Sequence, residues 1–192
     1  MCFKIDMQPI NFTASYLRTA YIPHKKDTGE IEQTQVSIVE LNPKDAKDVE
    51  ALGRTSVKWE HIKSGFAMNI FNELFKPRLY PDVNYEKYLA LTTQNENYSK
   101  LDHEKILGLA LYSDRKAPQN EISWLQACPS TNYESENGRE YSGIGSTLTR
   151  YMKEISDKSL YIQADNNAIE FYKKQGFKSV DEEHPSIMIY EA

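Results

Sequence analysis

The sequence predicts an α/β fold, one domain with a mixed, mostly antiparallel central sheet flanked by about four helices. Three observations carry this expectation. Strand-like runs outnumber helical ones; three of them follow one another near the middle, joined by short polar connections that favour antiparallel neighbours; and helix and strand alternate in the last third. With 192 residues, 40% of them hydrophobic, the chain can bury one sizeable core and fold alone.

Residues 1–33 show alternation in CFKIDM and a polar turn in HKKDTGE, and read as an N-terminal strand or arm packed on a domain that spans 34–192. TQVSIVEL (34–41) alternates as a strand. NPKDAKDVEAL then opens a helix, with Asn42 as cap and Pro43 at the first helical position. Val57, Ile62, Phe66, Ile70, Phe71, Leu74 and Phe75 recur at helical spacing and predict a second helix over 56–75, ended by Pro77. YEKYLALTT, EKILGLALYSD and NEISWLQACP are the three central strands. STNYESENGREYS, without periodicity, is a loop, and Ile144, Leu148, Tyr151, Met152 and Ile155 mark one face of the next helix. SLYIQA is a strand, NNAIEFYKKQGF a short helix, and FKSV with SIMIYEA the closing strands. Phe171 and Tyr172 are adjacent on that short helix, so they point about 100° apart and cannot both enter one core.

The formal net charge of -5 provides no overall basic field, so nucleic acid is not expected as a partner. Cys2 and Cys128 form no CxxC pair, and the four histidines lack metal-ligand spacing, so no metal is expected. No run approaches the roughly 18 apolar residues of a membrane span, and no basic segment leads into an apolar one at the N-terminus. These features suit a reducing cytoplasmic setting, with no membrane partner and a monomer or homodimer as the state. Cys128, alone on a strand, reads as a small buried hydrophobe rather than an acyl carrier.

One short motif carries anion chemistry. YSGIGSTLTRYMKE places Gly143 and Gly145 at the start of a helix, where exposed N–H groups and the helix dipole favour a phosphate. By itself the spacing suits a tight turn better than a phosphate site. No GK followed by Ser or Thr is present, as a nucleotide-binding P-loop would need, and the third glycine of a dinucleotide fingerprint is absent.

LQACP, then GIGS opening a helix, then a strand, then NAIEFYKKQGF together resemble the GNAT superfamily of acyl-CoA-dependent N-acetyltransferases. That family pairs a strand ending L-x-V-x-P with a Q/R-x-x-G-x-G/A turn and a later N-x-x-A-x-x-L/F-Y-x-x-x-G-F helix. Leu125, Ala127 and Pro129 match the first pattern, Gly143 and Gly145 the second, and Ala168, Phe171, Tyr172, Gly176 and Phe177 the third. Three departures stand out. Glu140 replaces the usual Gln or Arg, with Arg139 one residue early; the connection from Pro129 to Glu140 is longer than usual; and Asp165 takes the usual Asn position, with Asn166 and Asn167 beside it.

The resemblance implies acetyl-CoA as co-substrate, a primary amine as acceptor and direct transfer between them. Main-chain groups of Leu125 and Ala127 would pair with the pantetheine arm. Backbone N–H groups of Ser142, Gly143, Ile144, Gly145 and Ser146 would take the diphosphate, with Asn166 and Asn167 beside the cofactor. Tyr172 would protonate the departing thiolate while Phe171 packs inward. An ammonium with a pKa near ~10.4 is deprotonated in only about one molecule in 2,500 at pH 7, so a base helps. Glu121 is the first candidate, with alternation placing it on the same sheet face as Ser123 and Leu125 unless a bulge intervenes. Asp165, more naturally a helix cap, is the second. A non-catalytic acyl-CoA-binding module of the same fold is the main alternative, and an interaction domain working through 1–34 and 130–142 is another.

Overall fold

A computed structural model describes residues 13–62, 86–114, 119–131 and 139–192. Within them, eight strands form one sheet in the order β1-β2-β3-β4-β5-β6-β8-β7. The strands are β1 (Ser15–Lys25), β2 (Ile31–Leu41), β3 (Glu86–Thr92), β4 (Ile106–Ser113), β5 (Asn120–Ala127), β6 (Leu160–Gln163), β7 (Lys178–Ser179) and β8 (Ile187–Tyr190). Every pairing is antiparallel except that of β5 with β6. The α-helices are α1 (Ala46–Ile62), α2 (Ile144–Ile155) and α3 (Ile169–Lys174).

The polar turn HKKDTGE joins β1 to β2 as a hairpin. Gly29 supplies the left-handed φ of 84° that the reversal needs, and the Lys26 N–H donates to the Glu30 carbonyl at 2.8 Å. The strand expected from residue 34 therefore starts at Ile31. The alternation in CFKIDM lies outside the described residues.

The helices expected at 42–52 and 56–75 are a single helix as far as Ile62. The helix runs through GRTS, where Thr55 Oγ1 donates to the Ala51 carbonyl at 2.8 Å and Ser56 Oγ to that of Gly53 at 2.7 Å, so both hydroxyls are satisfied within it. The remainder of the 56–75 expectation lies outside the described residues, so three α-helices are seen among them rather than about four. The cap is Asp45 rather than Asn42. Its Oδ1 accepts from the N–H groups of Lys47 and Asp48 at 2.9 and 3.3 Å, while Asn42 Oδ1 takes the Lys44 N–H in the turn before the helix.

The sheet has a core on each face. Ile22, Ile38, Leu89, Ala110, Tyr112 and Ile122 pack under Ile144, Leu148 and Met152 of α2 and Tyr172 of α3. Val39, Ala90, Leu109 and Leu111 pack under Ala51, Leu52 and Trp59 of α1. Gly108 on β4 lets α2 come close: a Cβ there would lie 2.5 Å from Ile144 Cγ2 and 3.2 Å from Leu148 Cδ1.

Candidate active site

β5 pairs with β6 over only Asn120↔Leu160 and Glu121↔Tyr161, and beyond Glu121 its partner among the described residues is β4 alone. A wedge opens between the two strands. The fork is held by Asn120, whose N–H donates to the Ser159 carbonyl at 3.0 Å and whose Nδ2 reaches Ser156 Oγ at 2.9 Å. At the other end of β5 the Cys128 N–H donates to the Leu107 carbonyl on β4 at 2.7 Å. Alternation then turns the N–H and C=O groups of Leu125 and Ala127 into the wedge, although the Ala127 carbonyl already accepts from Gln126 Nε2 at 2.9 Å.

A bulge re-aims the side chains along β5. The register slips between Leu111↔Trp124 and Tyr112↔Ile122, which leaves Ser123 as the extra residue. Ile122 and Leu125 consequently share the α2 face, and Trp124 lies on the α1 face. Glu121, next to Ile122, is on the α1 side and does not share a face with Leu125, which corrects the alternation expected from the sequence. Ser123 Oγ sits 2.8 Å from Ser113 Oγ, and Ser113 is the cross-strand partner of Glu121, so these three polar residues meet at the closed end of the wedge.

The glycine turn adjoins the open end. Gly143 caps α2 with φ 78°, and no side chain caps this helix start. The Thr147 N–H donates to the Gly143 carbonyl at 2.9 Å, so the N–H groups of Ile144, Gly145 and Ser146 precede the first intrahelical bond and have no acceptor within the helix. Ser142 differs. Its N–H donates to the Pro23 carbonyl at 3.0 Å, so the expected run of donors from Ser142 to Ser146 loses its first member. A Cβ on Gly145 would stand 3.2 Å from Phe171 Cζ and 3.9 Å from Leu125 Cδ2, so this glycine lets α3, the first turn of α2 and the wedge converge.

At α3 the burial of the aromatic pair is the reverse of the expectation. Tyr172 is 4% exposed, whereas Phe171 is half-buried against Gly145. The helix end explains it. Gly176, with φ 87°, donates to the Lys173 carbonyl at 2.9 Å, and the Phe177 N–H donates to that of Tyr172 at 3.0 Å, the two bonds of a Schellman closure. The apolar contact that accompanies such a closure is the edge-to-face pair Tyr172–Phe177, with centroids 5.5 Å apart. Burial pushes the Tyr172 hydroxyl well above the usual phenol range, and the Asp165 carboxylate adds to the shift. Asp165, Asn166 and Asn167 are exposed at the start of the turn that leads into α3, and no side-chain bond from Asp165 caps it.

Cys128 is buried, with Sγ 3.1 Å from Ser130 Oγ. The acidic turn at 181–184 closes on itself, Asp181 Oδ1 accepting the His184 N–H at 2.6 Å. Among the described residues no group of three or more His, Cys, Asp or Glu is placed to hold a metal. No helix among them is long and apolar enough to cross a membrane. Sequence reasoning missed Gly108 and the Ser113–Ser123 pair. An isolated glycine inside a strand pattern was the available signal for the first, and the second depends on a bulge that leaves no mark in composition.

The split sheet, the glycine turn against its open end and the helix packed beside it give the chain a GNAT-type fold. It is similar to the solved structure of AtaTR bound with AcCoA, at TM-score 0.51 and 15% identity, over 81% of this chain and 92% of that one. It is also similar to a tandem GNAT protein from the clavulanic acid biosynthesis pathway, at TM-score 0.50 and 15% identity, over 76% of this chain and 45% of that one. An acetyltransferase from Thermus thermophilus aligns at TM-score 0.48 and 18% identity, over 81% of this chain and 94% of that one. No protein-family model matches the chain, and no curated protein matches it in sequence.

Proposed function

We propose that the protein transfers an acetyl group from acetyl-CoA to a primary amine by direct attack. The observation that carries this reading is the edge of β5 beyond Glu121, which has no strand partner on the β6 side among the described residues and adjoins three first-turn N–H groups of α2 that lack helical acceptors. Leu125 and Ala127 pair with the pantetheine arm as an added strand would. Gly143, Ile144, Gly145 and Ser146 receive the diphosphate, and the exposed Asn166 and Asn167 flank the nucleotide end.

An arm that runs from the turn toward the fork carries the thioester toward Ser123 and Glu121. There Glu121 takes a proton from the acceptor ammonium, directly or through Ser123 or a water. The amine lone pair then forms the C–N bond as the C–S bond breaks. Tyr172 supplies a proton to the leaving sulfur and is reprotonated from solvent, while the proton lost by the amide nitrogen leaves through Glu121. Screening amines for CoA release tests this, with Tyr172→Phe and Glu121→Gln as controls. Release that persists undiminished in both variants would remove these two residues from the mechanism.

A second reading has its own support. The burial of Tyr172 and its place in the Schellman closure give that residue a complete structural role, as in a module that binds acyl-CoA without turning it over. Tight acetyl-CoA binding with no release of CoA to any amine would favour it.

A further inference from the structure

The residues that lead into the glycine turn are fastened to the tip of the N-terminal hairpin. The Ser142 N–H donates to the Pro23 carbonyl at 3.0 Å and the Lys25 N–H to the Glu140 carbonyl at 2.7 Å, so His24 and Tyr141 face each other in an antiparallel bridge. Their rings stack, with centroids 4.5 Å apart and planes 11° from parallel. His24 also lies between two carboxylates, Nδ1 3.5 Å from Glu32 Oε1 and Nε2 3.6 Å from Glu140 Oε1. Lys26 Nζ holds Glu32 at 2.7 Å from the other side. Pro23 continues the contact to the turn itself, with Cδ 3.7 Å from where a Cβ on Gly143 would be.

The turn needs support of this kind. No side chain caps α2, so nothing inside the helix fixes Gly143 at φ 78° or keeps the next three N–H groups convergent. Glu140 adds a difficulty, since a carboxylate three residues before Gly143 repels a diphosphate when it faces the turn. Next to His24, that carboxylate lies on the β1 side.

We propose that His24 is a positioning residue for acetyl-CoA: stacked on Tyr141 and drawing Glu140 aside, it holds the glycine turn in the conformation that receives the diphosphate. The proposal rests on the acetyltransferase reading and deepens it. It gives a task to the hairpin ahead of residue 34 and accounts for Glu140 at a position where the family usually has Gln or Arg. Without the stack the turn samples other conformations, and affinity falls in proportion to the time spent outside the competent one.

The test uses the full chain with His24→Ala and, separately, Tyr141→Ala. Acetyl-CoA affinity is measured by calorimetry, and amide exchange at Ser142 is followed without ligand. Each variant is expected to weaken acetyl-CoA binding about tenfold and to speed exchange at Ser142 by a similar factor, with the double variant little worse than either single one. With an accepted amine, KM for acetyl-CoA rises while kcat at saturating acetyl-CoA and KM for the amine stay within about twofold, a split that general loosening of the fold does not produce. Unchanged affinity and unchanged Ser142 exchange in both variants overturn the proposal, as does a fall in kcat together with a rise in both KM values. A wild type that fails to bind acetyl-CoA sinks the acetyltransferase reading as well; a wild type that binds no better than His24→Ala sinks the positioning role alone.

Discussion

Gly143 and Gly176 both hold left-handed backbone, at φ 78° and 87°, and stand at opposite kinds of helix end on the same side of the sheet. Behind Gly176 the end of α3 is closed. Two backbone bonds engage the Tyr172 and Lys173 carbonyls, and the Tyr172–Phe177 contact completes the closure. Ahead of Gly143 the start of α2 is open, with no side-chain cap and three N–H groups beyond reach of a helical acceptor. One conformational requirement thus serves two ends. A left-handed glycine marks a candidate anion site where the groups it exposes stay unmatched, and marks a structural stop where they are matched.

Substitutions at the two glycines should separate these roles. The largest effect is expected from Gly143→Glu, where a carboxylate about 4 Å from a bound diphosphate costs about 4 kcal/mol, or roughly a thousandfold in acetyl-CoA affinity by calorimetry. Gly143→Ala carries the same backbone strain without the charge, so its affinity loss should be far smaller; equal losses would make strain rather than charge the cause. Next comes Tyr172→Phe, expected to lower kcat about a hundredfold if Tyr172 is the acid, with a thermal midpoint close to wild type because the ring contact with Phe177 is kept. Gly176→Ala should show the opposite pattern: about 1–2 kcal/mol less stable in denaturant unfolding, with acetyl-CoA affinity unchanged. A matching loss of affinity would show that the closed end also shapes the site.

The smallest expected effect lies on the other face of the sheet, at Asp48. Its side chain is fully buried, with Oδ2 accepting the Asn42 N–H at 2.8 Å and Oδ1 without a hydrogen-bond partner among the described residues. Burial, the largest influence, raises its pKa to about 6, partly offset by the Asn42 and Ala14 N–H groups. An unfolded aspartate titrates at about 3.9, so between the two values the folded state holds more protons than the unfolded one. Stability from this group is therefore complete below about pH 4, falls as the pH rises toward 6 and levels above it. Asp48→Asn should flatten that slope and stabilise the protein by about 1 kcal/mol at pH 7, as read by unfolding at several pH values. An unchanged slope would show that the carboxyl titrates normally.

The sheet was legible where apolar and polar residues alternate along a strand, as in TQVSIVEL, or where an apolar run is bounded by turn residues, as in EKILGLALYSD. The glycine turn and the NAIEFYKKQGF helix were legible because each spends several residues on one backbone event. What escaped is non-local or depends on a single insertion. The extra residue at Ser123 moves Glu121 and Leu125 to opposite faces, and no composition signal marks a bulge. β1 alternates weakly because a bulge between Tyr16 and Arg18 shifts its period, and Tyr16 and Tyr21, both on the α1 face, are exposed. Asp45 took the cap expected of Asn42 because either residue type can begin a helix, and one helix runs on through 53–55, between the two expected ones, with the Thr55 and Ser56 hydroxyls bonded to carbonyls of the turn before. The engagement of Ser142 by Pro23 joins residues more than a hundred positions apart. The resemblance implies that Phe171 packs inward, but the Schellman contact, which needs an apolar residue three positions before Gln175, puts the Tyr172 ring inside.

Amide exchange at the two glycine ends, measured with and without saturating acetyl-CoA, tests the proposed cofactor site most directly. The expected result is slowed exchange at Ile144, Gly145 and Ser146 with little change at Gly176 and Phe177, whose bonds are already made. Tight binding that leaves the α2 amides unprotected would contradict the placement of the diphosphate on this turn.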